Sequence, residues 1–196
     1  SAASDVYKRQ ISDIVPLVDE NRVIAKLGLK LIEQTKNIGL RTLLNIANFK
    51  KIDSNAISFG VAPRINACGR MGAQEEALKL FLTEDKQEAL KIAKNLVKFN
   101  QERQNTEKQI FEDVIQEIEK NNDKEKKCIV LAKENWHHGI IGIVSSKVTE
   151  MYYKPSILIC LEGDMGKGSG RSVSGFDLYN ALSLSLIHIS EPTRPY

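Results

Sequence analysis

The chain has 196 residues, of which 42% are hydrophobic and 27% charged, with a formal charge of +3. No run reaches the roughly 18 to 20 apolar residues of a membrane-spanning helix, so the expectation is a soluble, cytoplasmic protein of one or two domains. Cys68, Cys128 and Cys160 are odd in number and lack metal-like spacing, so neither a disulfide framework nor a zinc site is supported. The slight positive charge permits a nucleic-acid partner without demanding one.

The two ends differ from the interior. Asp5–Gln10 can be encoded by GAT GTG TAT AAG AGA CAG, whose reverse complement, CTG TCT CTT ATA CAC ATC, encodes Leu184–Ile189. One inverted repeat that specifies both ends points to translated transposon adapters, so residues 1–10 and 184–196 are expected to be adapter-derived. That leaves 173 residues, 11–183, as native text, an internal fragment of a longer protein. The first segment removes Lys8, Arg9 and Asp5, while Glu191 and Arg194 cancel in the last, so the formal charge falls to +2.

In chain order, Val23, Ile24, Leu27, Leu31 and Ile32 have helical spacing over residues 21–36, and Gly39 is expected to stop that helix. Residues 40–48 read as a second short helix. Residues 54–72 mix apolar positions with three glycines and a proline and read as a short helix or strand leading into an irregular loop. Gln74–Leu82 reads as an amphipathic helix. Thr83 reads as the N-cap of a long charged helix that reaches about Lys120, with Leu90, Ala93, Leu96 and Val97, then Ile110, Val114, Ile115 and Ile118, as its apolar stripe. Beyond the polar turn 121–127, strands at 128–132 and 155–162 bracket a helix at Gly139–Met151. A glycine-rich turn follows at 163–170, and residues 171–182 begin as a strand and enter a helix near Phe176. The order β-α-β-β-α argues for an α/β second domain, with the boundary near residue 122.

Four constellations could carry chemistry, with three polar side chains on the long helix beside them. In Ala62–Gly72, Arg64 and Arg70 flank Asn66; such guanidinium groups either bind phosphate or pair with carboxylates on neighbouring helices. In Gly166–Ser172, Lys167, Ser169, Arg171 and Ser172 form either a phosphate cradle or a hairpin turn, and Gly168 after Lys167 excludes a P-loop. His137, between a strand and a helix, either meets a ligand or caps the helix beside a buried Trp136; adjacent His137 and His138 chelate one metal poorly. Asp13, among apolar residues, is a helix cap or a metal ligand. Asn100, Arg103 and Gln104 on the long helix could touch a ligand or simply face water.

Together and in this order, five blocks resemble the RecJ family of the DHH phosphoesterase superfamily, the single-stranded-DNA-specific 5′→3′ exonucleases. They are Ser12–Leu17 with Glu20–Arg22, Ala62–Met71, Asn100–Gln104, Trp136–Val144 and Lys167–Phe176. The resemblance implies an α/β fold: the end of a DHH catalytic domain at 11–82, a connecting helix at 83–122 and a truncated DHHA1 domain at 123–183, with a cleft for one DNA strand between the domains. It implies a two-metal centre, Mn²⁺ or Mg²⁺, with Asp13 as its last aspartate ligand and the earlier metal motifs outside this sequence. His137-His138 is not the Asp-His-His signature of the family. The resemblance further implies that Arg64, Asn66 and Arg70 meet the DNA backbone, and that Arg103, His137, Ser169, Arg171 and Ser172 bind phosphates. Expected partners are single-stranded DNA, a single-strand-binding protein and a helicase, in DNA repair and recombination. The alternatives are a smaller DHH phosphodiesterase acting on short oligonucleotides or cyclic dinucleotides, and a non-catalytic single-strand-binding relative. The fragment alone is expected to be inactive.

Overall fold

Apolar periodicity organises the chain into helices first and a small sheet last. The computed structural model describes residues 16–49 and 51–190, with side chains up to residue 185 at the C-terminal end. Asp13 lies outside the described residues. The elements are α1 (Asp19–Glu33), α2 (Ile38–Ala47), a π-helix (Ala56–Val61), α3 (Ala62–Arg70), α4 (Gln74–Leu82) and α5 (Lys86–Lys120). After them come β1 (Ile129–Glu134), α6 (His138–Tyr152), β2 (Ser156–Glu162), β3 (Met165–Arg171) and α7 (Leu178–Ser190). The chain divides into two units, Ser1–Arg103 and Gln104–Tyr196, and the division falls within α5. At 35 residues this helix is about 50 Å long.

In the first unit, Ile32, Leu40, Leu43, Ile57, Leu80 and Leu96 are fully buried together. Gly39 does not stop a helix, as its position after a helical run suggested. The first helix ends at Glu33, and Asn37 starts the next by accepting the Leu40 N–H at 2.8 Å while its amide donates to the Phe81 carbonyl at 2.8 Å. Gly39 sits inside α2 because α4 presses on it: a Cβ there would lie 1.7 Å from the Leu80 carbonyl oxygen.

The loop expected over 62–72 is also a helix. The π-helix runs directly into α3, so the helical path is continuous through Pro63, which has no N–H to donate to the preceding turn; the wider π-helical turn stands immediately before it, where the regular hydrogen-bond ladder is interrupted. Gly72, with φ of +74°, ends the segment. The N-cap of α5 is Asp85 rather than Thr83: the Asp85 carboxylate accepts the Gln87 N–H at 2.7 Å, and the Thr83 hydroxyl accepts the N–H of Asp85. The apolar stripe of α5 is shifted slightly from expectation. Ala89, Ile92, Ala93 and Leu96 are buried, whereas Leu90 is 42% exposed.

In the second unit, β1 and β2 are parallel and β3 is antiparallel to β2, in the order β1-β2-β3. Ile118, Ile129, Ile140, Ile141 and Leu158 are fully buried here. The buried Trp136 indole donates to Asp113 of α5 at 2.7 Å, and Lys133 of β1 bonds the other carboxylate oxygen at 2.5 Å. Burial raises the Asp113 pKa, but the hydrogen bonds from Lys133 and Trp136 outweigh it and hold the carboxyl below its ordinary range.

The segment expected as a glycine-rich turn at 163–170 is mostly strand. Only Gly163 and Asp164 turn the chain, Gly163 with φ of +60°. The register pairs Gly166, Gly168 and Gly170 with Leu161, Ile159 and Ile157, so the glycines share one face of the sheet. Lys167, Ser169 and Arg171 pair with Cys160, Leu158 and Ser156, whose side chains are buried on the opposite face. The strand also ends at Arg171 instead of running on, and α7 begins at Leu178, where Asp177 caps it through the Asn180 N–H at 3.0 Å.

Candidate nucleic-acid interface

Two facts of period bring the polar groups of the second unit together. His138, Gly142 and Ser146 recur every fourth residue along one face of α6, and Lys167, Ser169 and Arg171 recur every second residue along one face of β3. The two rows meet in a seam. At its first end, the Glu162 carboxylate at the end of β2 joins His138 Nδ1, at 3.1 Å, to Lys167 Nζ, at 3.1 Å. Lys167 first, then His138, holds the Glu162 carboxyl below its ordinary range. In the middle, Gly142 faces Ser169: a Cβ at Gly142 would lie 2.9 Å from Ser169 Oγ. At the far end, Arg171 Nε donates to Ser146 Oγ at 2.9 Å.

The partners of Arg171 are all neutral. Nη1 donates to the Gly170 carbonyl at 2.8 Å and weakly to Ser169 Oγ at 3.4 Å, and among the described residues no carboxylate pairs with the guanidinium. It is exposed, and no described acidic side chain compensates its charge, which suits an anionic ligand. Ser172 is not part of this group. Its hydroxyl turns into the following bend and donates to the Phe176 carbonyl at 2.7 Å.

His137 caps α6. Its Nδ1 accepts the Gly139 N–H at 3.1 Å, so the neutral ring carries its proton on Nε2, the nitrogen left to donate to a ligand. The capping role and a ligand role are therefore compatible. Burial, then the charge of His138, lowers the His137 pKa against the opposing effect of Glu162. The folded form thus favours the neutral ring. The cap stabilises fully above the unfolded value of about 6.5 and is lost as pH falls below it through the lowered folded value. The urea midpoint should fall between pH 8 and pH 5.5 by the equivalent of at most about 1 kcal/mol. His137→Asn, which keeps a cap that cannot titrate, should flatten that step; an unchanged step contradicts the assignment.

In the first unit, Asn66 and Arg70 lie one turn apart on α3. With Ile65, Gly69, Gln74 and Ala77 they line an open groove of about 450 Å³ between α3 and α4. Arg64 is not among the groove residues. It folds back within its own helix, where Nη1 donates to the Gly60 carbonyl, while Nε is buried without a hydrogen-bond partner. Burial pushes this guanidinium below its ordinary value, and no carboxylate among the described residues offsets it. Arg103 bonds the side chain of the buried Asn100 at 3.1 Å on α5.

The structure therefore brings together Ser169 and Arg171, and separately Asn66 and Arg70. Gly142 falls within the Trp136–Val144 block but was given no role of its own, and Ser146 and Glu162 were not singled out by sequence. The fourfold recurrence of His138, Gly142 and Ser146 was visible, but nothing local to it announces a strand partner. Among the described residues, no three His, Cys, Asp or Glu side chains converge to hold a metal ion, so no metal chemistry is assigned to them. No described helix is long and apolar enough to cross a membrane.

No family model matches the chain. Individual proteins do. It is 36% identical over 177 residues to the single-stranded-DNA-specific exonuclease RecJ of Bacillus subtilis, an alignment that covers 88% of this chain and 22% of that protein. It is 35% identical over 174 residues to the enzyme of the same name from Thermus thermophilus, covering 88% of this chain and 24% of the relative. Among solved structures, the Mg²⁺ complex of Thermus thermophilus RecJ superposes with a TM-score of 0.83 at 31% identity, over 94% of this chain and 29% of that one. A second, exonuclease RecJ bound to manganese, superposes at 0.81 with 33% identity, over 92% of this chain and 45% of that one. The chain thus spans about a quarter of the length of the curated relatives it matches.

Proposed function

We propose that this chain, a partial sequence of the RecJ family, contributes the surface by which a metal-dependent 5′→3′ exonuclease grips the backbone of single-stranded DNA. The observation that carries this reading is the α6–β3 seam, where Arg171 is held by neutral groups and, among the described residues, pairs with no carboxylate. Ser169 lies beside it, and His137 presents an Nε2–H at the N-terminal end of the same helix, where the helix dipole favours an anion. In the first unit, Asn66 and Arg70 on their groove and the unpaired charge of Arg64 are assigned the same task, as is Arg103 on α5. Ser172 keeps a supporting place in the bend after β3.

Under this reading the complete protein hydrolyses single strands using Mn²⁺ or Mg²⁺, with Asp13 as one ligand. It acts in cytoplasmic DNA repair and recombination, on strands supplied by a helicase and covered by a single-strand-binding protein. The segment 11–82 is the end of its DHH domain and 123–183 most of its DHHA1 domain, joined by the helix of 83–122.

The test is equilibrium binding of a labelled 5′-phosphorylated single strand over a salt series. Backbone contacts predict that log K falls linearly with log salt, by about 0.7 for each phosphate neutralised. Absence of binding at low salt overturns the proposal.

A further inference from the structure

Arginine is useful to a phosphate only if its planar fork points the right way. Arg171 is an exposed side chain at the end of an edge strand, and such a side chain ordinarily samples many rotamers. Here three of its five N–H groups lie on the two nitrogens held by the protein, Nε and Nη1. Nη2 makes no hydrogen bond among the described residues. It lies over Gly142, where an added Cβ would approach it to 3.4 Å.

The group that fixes this orientation is the Ser146 hydroxyl. Its own proton goes to the Gly142 carbonyl one turn earlier on α6, at 3.1 Å. That leaves an oxygen lone pair directed at Arg171 Nε, at 2.9 Å. The hydroxyl cannot turn to compete for the ligand without breaking its bond to the helix backbone. Gly142 serves the same end differently, since its bare Cα leaves room for Nη2 and for Ser169 Oγ.

We infer that Ser146 is a positioning residue that aims the Nη2 edge of Arg171 at a phosphate of the bound strand, in a slot kept open by Gly142. The inference rests on the proposed role of the seam in gripping single-stranded DNA. Ser146 touches no phosphate itself; it acts through Arg171 and lowers the ordering cost of binding.

The experiment is a double-mutant cycle on the full chain, read as the Kd for a labelled 5′-phosphorylated oligothymidylate at fixed salt. Ser146→Ala should weaken binding about tenfold, near the low end for losing one hydrogen bond to a charged group. Arg171→Ala should weaken it at least as much, and the double variant should be no weaker than Arg171→Ala alone. Ser146→Thr and Ser146→Val have matching shapes and separate the hydroxyl from packing: Thr should keep the wild-type affinity and Val should lose it. Retained affinity in Ser146→Val, or losses that simply add in the double variant, overturns the inference while leaving the grip intact. Wild-type affinity in Arg171→Ala overturns both the inference and the reading of the seam on which it rests.

Discussion

Incubated with Mn²⁺ and 5′-phosphorylated single-stranded DNA, this chain is expected to bind the strand and release no nucleotides. Two-metal hydrolysis needs two ions about 3.5 to 4 Å apart, stabilising the attacking and leaving oxygens together. Holding such a pair takes several carboxylates or imidazoles converging on one point. Among the described residues no three such side chains converge. His137 and His138 stack on each other with centroids 5.2 Å apart; one caps a helix and the other pairs with Glu162. Asp13, the metal ligand implied by resemblance, lies outside the described residues and is a single carboxylate. The expected outcome is therefore a gel in which the labelled strand stays at full length at every Mn²⁺ concentration, while anisotropy of the same mixture reports binding. Progressive shortening from the 5′ end would contradict the account.

Gly39→Ala is expected to damage the first unit more than any exposed substitution. The added Cβ would lie 1.7 Å from the Leu80 carbonyl oxygen and 2.6 Å from its carbon, both backbone atoms that no rotamer change can move aside. α2 and α4 would have to separate, opening the core around Leu40, Leu43 and Leu80, all fully buried. Overpacking of this kind costs about 3 kcal/mol, against up to about 1 kcal/mol gained from replacing a helical glycine. Gly69→Ala is the control. It also lies within a helix, but its Cβ would meet nothing within 4 Å, so it should be neutral or slightly stabilising. Urea titrations of both variants separate close packing from helix propensity; equal midpoints would refute the packing argument.

These two variants also show where the sequence was legible. Gln74–Leu82 is helical from the first expected residue to the last, and the strands at 129–134 and 156–162 fall within a residue or two of expectation. The helix is a regular amphipathic pattern and the strands are short apolar runs, and in each local preference and tertiary packing agree. The failures cluster at glycine and proline. Gly39 read as a stop because its contact, Leu80, lies 41 positions away in sequence. Pro63 and Gly69 read as loop formers, yet the π-helix before them delivers the chain already coiled, and its wider turn precedes the proline, where the regular ladder is interrupted. Gly166, Gly168 and Gly170 hid a strand, because residues that flatten one face of a sheet also erase the alternation by which strands are recognised.

Part of the candidate site was also legible as motif. Arg171, Ser169 and His137 stood out as phosphate-seeking residues in compact motifs. Ser146 and Gly142 did not, since an ordinary serine and glycine on a helix gain meaning only when β3 is laid against them. Arg64, Asn66 and Arg70 were visible as a set. Their division, with two on a groove and one half-buried and bonded to Gly60, follows from the helix, which places positions 66 and 70 on one face and 64 on another.

The claim that most needs testing is that the α6–β3 seam grips a phosphate. The measurement is the slope of log K against log salt for single-strand binding, compared between the wild-type chain and Arg171→Ala. Loss of one phosphate contact predicts a slope shallower by about 0.7 together with weaker binding at every salt concentration. Parallel lines of equal affinity would show that Arg171 neutralises no phosphate and would contradict the account.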